Sequence, residues 1–149
     1  MQTFLVYNEI TPEIIKQLTR IKVAGVLSLH TPSQLESILT NFKDGDTLII
    51  EGIHIFNGAF ELYSALCLIS NLSNGHFISL QQRILKIDSG QMNKDALEVV
   101  EIGARLEETC SKNTENYTDN NSNTNSIKKL KQLCMRILED AFQNQTISN

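Results

Sequence analysis

The sequence predicts an α/β fold: a three-layer α/β/α arrangement around a mostly parallel sheet of about five strands, followed by a C-terminal helix. Three observations carry this. Short apolar runs alternate along the chain with segments whose apolar residues recur at helical spacing. Two of those helical segments open on Thr-Pro, a start signal in which threonine caps and proline occupies the first turn. The run Leu48–Ile50 is apolar without alternation and lies between the polar turn Asp44-Gly45-Asp46 and a loop ending in Asn57-Gly58. It reads as a strand buried on both faces, the central one. Ligands of open α/β sheets sit beyond the carboxyl ends of the strands, so residues 51–58 are where chemistry is expected.

The elements follow in order. Thr3 to Tyr7 is a short apolar strand. Thr11 and Pro12 open a helix with Ile14, Ile15, Leu18 and Ile21 on its inner face. Val23 to Leu29 is a second strand, rich in branched residues. Thr31-Pro32-Ser33-Gln34 starts the next helix, with Gln34 placed to complete a capping box and Leu35, Ile38, Leu39 and Phe42 facing inward. After the central strand, a helix over Phe60 to Leu72 turns Leu62, Leu66 and Ile69 to one side. Asn71 to Gly75 is a turn, and His76 to Leu80 and Ile84 to Ile87 are strands. Asn93 caps a long helix reaching about Thr109. This order places a domain over residues 1–110.

Residues 111–126, rich in Asn, Ser and Thr, have no apolar period and read as a flexible linker. Over 127–143 an amphipathic helix carries Leu130, Leu133, Cys134, Ile137, Leu138, Ala141 and Phe142. Such a stripe docks on its own domain, a sister chain or a partner. With 149 residues the chain holds one compact domain plus an appendage, and its net charge of −4 argues mildly against non-specific nucleic-acid binding while leaving room for a local basic patch. No apolar run spans a bilayer and no signal peptide is evident, so a cytoplasmic protein without membrane contact is expected. Cys67, Cys110 and Cys134 lack metal-ligand spacing and read as reduced thiols, with Cys67 in the core. No metal or cofactor is expected.

Gly45-Asp46-Thr47-Leu48-Ile49-Ile50 resembles the G-D-T-L-V-V strand of the serine recombinase (resolvase/invertase) catalytic domain family. The helix Ala59 to Leu72, the strand His76 to Leu80 and Ile87-Asp88 resemble the next elements of that family's domain. Carried outward, Tyr7-Asn8-Glu9-Ile10-Thr11 falls on the Y-x-R-V-S signature, and Thr31-Pro32-Ser33-Gln34-Leu35 falls on R-P-x-L. The likeness covers about residues 3–110, is specific only in its middle, and implies a resolvase-like fold.

The family cleaves DNA by serine attack on a phosphodiester, with arginines neutralising the transition state. Here Thr11 stands at the nucleophile position and Glu9 at the arginine before it. Thr31 replaces the arginine of R-P-x-L. His54, Ile55 and Gly58 stand where D-R-x-x-R has its aspartate and two arginines. Losing one charge-stabilising group costs roughly 100- to 1000-fold. The resemblance therefore implies a fold without its chemistry, a pseudoenzyme touching DNA recombination only through association. The alternative is a weak or altered enzyme, either strand transfer by Thr11 or other work at Glu9, His30, Glu51 and His54. A small-molecule binder at the open end of the sheet is a third reading.

In the family the long helix carries the dimer contact. Ala96, Leu97, Val100, Gly103, Ala104 and Leu106 keep an apolar, partly small-residue face there. They are the expected dimer interface, and Leu130, Leu133, Ile137, Leu138 and Phe142 the expected partner interface. The partner would be a second copy or an active recombinase subunit. DNA contact would be indirect, because no helix-turn-helix follows.

Overall fold

The computed structural model describes residues 1–21, 26–115 and 120–147. It is an α/β structure with a six-stranded mixed sheet. The elements are β1 (Gln2–Val6), α1 (Pro12–Arg20), β2 (Val26–His30), α2 (Leu35–Thr40), β3 (Thr47–Ile50), α3 (Ala59–Ser70), β4 (His76–Ser79), β5 (Lys86–Asp88), β6 (Gln91–Met92), α4 (Lys94–Glu115) and α5 (Asn120–Ile147). The strand order is β2-β1-β3-β4-β5-β6. The first three pairings are parallel, and β4–β5 and β5–β6 are antiparallel.

Register sorts the side chains between the two faces. Phe4 lies beside Leu48 and Phe77, and Val6 beside Ile50 and Ser79, on one face. That face carries the main core, shared with α2, α3, α4 and α5. Leu5, Ile49 and Ile78 lie on the other, where Ile14, Leu18 and Ile21 of the α1 region close a smaller core. Residues Leu48, Ile49 and Ile50 are all inaccessible to solvent, as the unbroken apolar run predicts for a central strand.

The capping signals operate as read. Thr11 Oγ1 accepts from the Ile14 N–H, Gln34 Oε1 from the Thr31 N–H, and Asn93 Oδ1 from the Asp95 and Ala96 N–H groups. The Asp44-Gly45-Asp46 turn closes the opposite end of the sheet. Asp46 accepts from the Gln2 and Lys43 N–H groups, and Asp44 from the Asn74 N–H. Gly45 takes φ +93°, a conformation that side chains resist.

Several expectations change. Ile15 is exposed rather than inward. The second strand begins at Val26, its predicted start lying among residues 22–25, outside the described set. A sixth strand is added by the turn at Ser89-Gly90, both with positive φ, which folds β6 back on β5. Cys67 is only partly buried, and Cys134 is the core thiol, because Cys67 sits on the flank of α3. Helix α4 runs to Glu115 and α5 opens at Asn120, so helix extends into both ends of the 111–126 stretch. Residues 116–119 of that stretch lie outside the described set.

The long helices also redistribute the two apolar faces. Ala96, Val100 and Ala104 are buried inside the chain. Leu97 packs at the edge of that core, and a Cβ on Gly103 would sit 3.1 Å from Leu138. The small-residue face expected to mate with a second copy is thus taken up by α3 and α5 of the same chain; Leu106 alone of that set is exposed. On α5, Leu138 and Phe142 are buried and Leu130 packs against the core, whereas Leu133 and Ile137 point to solvent.

Candidate functional site

Beyond the carboxyl end of β3 the chain does not leave the sheet at once. The Glu51 N–H donates to Val6 O and the Gln81 N–H to Glu51 O, extending the ladder one residue. A single 3-10 turn, Ile53–Ile55, then carries the chain towards α3. Its apolar residues Ile53 and Ile55 are buried, and His54 between them is left at the surface. Gln82 fixes this turn: its Oε1 accepts from the Ile53 N–H and from Ser79 Oγ, each at 2.9 Å. Glu51, nearly buried, lies 2.7 Å from His54 Nε2. The imidazole thereby gives Glu51 Oε2 a partner.

The positions matched to catalytic residues are used structurally. Thr11 spends its oxygen on the α1 cap, and Glu9 is exposed on the preceding loop. Thr31 stands at the N-cap position before α2, where its N–H donates to Gln34 Oε1. Ile55 belongs to the core. A side chain on Gly58 would run into the Glu107 carboxylate, 2.7 Å from where a Cβ would lie. Glu107, itself buried, reaches across from α4, and its Oε2 accepts from the Ala59 N–H at 2.6 Å. A carboxylate thus occupies the start of α3, where it is favoured by the exposed N–H groups and the helix dipole. The resemblance would require a cation there.

His30 does not join His54. Its ring contacts Ser28 Oγ at 2.8 Å and Gln34 Oε1 at 3.3 Å and packs near Phe4, beside α2. Among the described residues no three of His, Cys, Asp and Glu are grouped to hold a metal ion. Nor is any helix among them long and apolar enough to cross a membrane.

Sequence spacing did not reveal the second wall of this site. Helix α5 packs against the Ile53–Ile55 turn and borders an open cleft of about 690 Å³. His54, Phe56 and Asn57 form one side. Ile127, Lys128, Lys131, Gln132, Met135, Arg136 and Glu139 form the other. Their spacing is a single helical stripe, a signal present in the sequence but readable only once its facing wall is known. No family model, curated protein or solved structure matches this chain.

Proposed function

We propose that this chain is a non-catalytic interaction protein that acts by self-association through the outer face of the α4–α5 pair. The observation carrying this reading is a set of four large apolar side chains, Ile102, Leu106, Leu133 and Ile137, each slightly more than half exposed. Ile102 and Leu106 are one turn apart on α4, as are Leu133 and Ile137 on α5. Gly103, against Leu138, marks the seam between the helices. Helical geometry puts Leu106 and then Ile102 just outside that seam on α4, and Ile137 and then Leu133 just outside it on α5. Contiguous exposed apolar patches larger than a few hundred Å² mark interaction sites on soluble proteins.

Charge favours a second copy as the occupant. On α4, the exposed Glu98 lies one turn before Ile102, in line with the apolar pair; on α5, the exposed Lys129 lies one turn before Leu133 in the same way. A twofold arrangement laying α4 of one copy on α5 of the other brings opposite signs together. The reading of a resolvase-like domain rests on the motifs at residues 45–50 and 76–88; the non-catalytic reading is supported by the cap at Thr11, the core place of Ile55, the His54–Glu51 pair and the Glu107 carboxylate that fills the space at Gly58. Pairing with an active recombinase subunit, and any influence on DNA recombination, rest on that resemblance. No geometry favours strand transfer by Thr11, whose hydroxyl oxygen is engaged at the helix cap.

Sedimentation equilibrium tests the association. The full chain is expected to be a dimer, and the double substitution Leu106→Glu, Ile137→Glu a folded monomer with unchanged helical content. A monomeric parent chain at roughly 100 μM, weaker than specific interfaces usually bind, sinks the proposal.

A further inference from the structure

We infer that the cleft between residues 54–57 and α5 binds a nucleoside monophosphate, either free or at the end of a single strand. The chemistry is read from the two kinds of surface that meet there. The half-buried Ile127 and the exposed edges of the core residues Phe56 and Met135 give the cleft an apolar floor on which a flat body can rest. Lys128, Lys131 and Arg136 stand along its rim, with one carboxylate, Glu139, among them. The ion pairs among the described residues join His54 to Glu51, His76 to Asp88 and Arg105 to Glu101, so these three cations lack a carboxylate partner within that set.

Cations on one helical stripe above an apolar floor suit a ligand with a compact anion at one end and a flat apolar body at the other. Arginine offers a fork to phosphate oxygens, and the lysines offer mobile point charges. The exposed Asn57 supplies a neutral amide on the opposite wall for a sugar hydroxyl or base edge. The volume falls within the ordinary range for small-ligand sites. Glu51 holds His54 by its Nε2, so the imidazole stands as a fixed part of the wall.

This site is independent of the association face. On α5, Leu133 and Ile137 lie on the side of the helix away from Lys128, Lys131 and Met135, so either reading can fail alone.

The test is titration of the full chain, followed by amide NMR shifts, with adenosine monophosphate, adenosine and inorganic phosphate as probes. Saturable binding of the monophosphate is expected, with shifts at Phe56, Asn57 and residues 127–139. Adenosine and phosphate should each bind at least about tenfold more weakly, a difference of ~1.4 kcal/mol. The surface double substitution Lys131→Gln, Arg136→Gln should weaken binding by a similar factor without changing the circular dichroism spectrum. Glu139→Gln should tighten it. A short oligonucleotide with a 5′-phosphate separates the two sources. Tighter binding than the monophosphate identifies a strand end; equal or weaker binding identifies the free nucleotide. Absence of saturable binding at roughly millimolar ligand, or binding that survives the double substitution, overturns the assignment. Inorganic phosphate binding as tightly as the monophosphate overturns the nucleoside part.

Discussion

Glu107 sits on α4, yet the helix it stabilises is α3. Its carboxylate takes the Ala59 N–H at 2.6 Å and fills the space that glycine at 58 leaves open. Glu107→Ala should cost about 1–3 kcal/mol, the range for orphaning a buried donor, read as a lower urea midpoint with unchanged slope. Gly58 offers no warning of this in the sequence, because its partner lies far along the chain on another helix. Cys134 gives the second residue-scale prediction. Burial pushes its thiol up, and Glu107 and Cys110 push the same way. A folded-state value above the unfolded one favours the protonated thiol in the fold. That contribution is complete below the ordinary thiol value and is lost as pH rises through the raised one. Stability should therefore decline from about pH 8.5 upward, and Cys134→Ala should flatten that part of the profile.

At the scale of elements, the α4–α5 pair decides what the apolar stripes do. Read singly, each helix offers a continuous apolar face, and nothing in either stripe says which residues meet inside the chain. Packed together, Ala96, Val100, Ala104, Leu138 and Phe142 turn inward, and Ile102, Leu106, Leu133 and Ile137 remain outside. Gly103 sets how closely the helices approach. Gly103→Val places new atoms against Leu138, already 3.1 Å from the position of a Cβ. The expected result is a destabilisation of about 1–3 kcal/mol, the usual range for overpacking. Thermal unfolding measures it, and a parent-like midpoint would show that the helices separate at little cost.

For the whole molecule, α5 is part of the core. Cys134, Met135, Leu138 and Phe142 join the cluster that also holds β3, α3 and α4. Removing one large core side chain typically costs about 2–5 kcal/mol, against a total stability of about 5–15 kcal/mol for a domain. A chain ending at Lys112 should accordingly lose cooperative unfolding and bind hydrophobic dyes. Sharp, parent-like unfolding of that chain would instead make α5 peripheral and remove one wall of the cleft as a fixed surface.

The amino-acid sequence by itself determined the α/β class, the central strand at Leu48–Ile50, and the caps at Thr11, Thr31 and Asn93. Each is a local signal, an apolar period or a side chain bonding three residues ahead, and local signals survive without knowledge of neighbours. It also directed attention to the segment after β3. Tertiary structure alone decided that β5 runs antiparallel, that Glu107 caps α3, and that the cations of α5 face His54 and Asn57. Those outcomes depend on which surfaces meet across dozens of residues, and a helical stripe records only that one face is apolar or charged, not what lies opposite it.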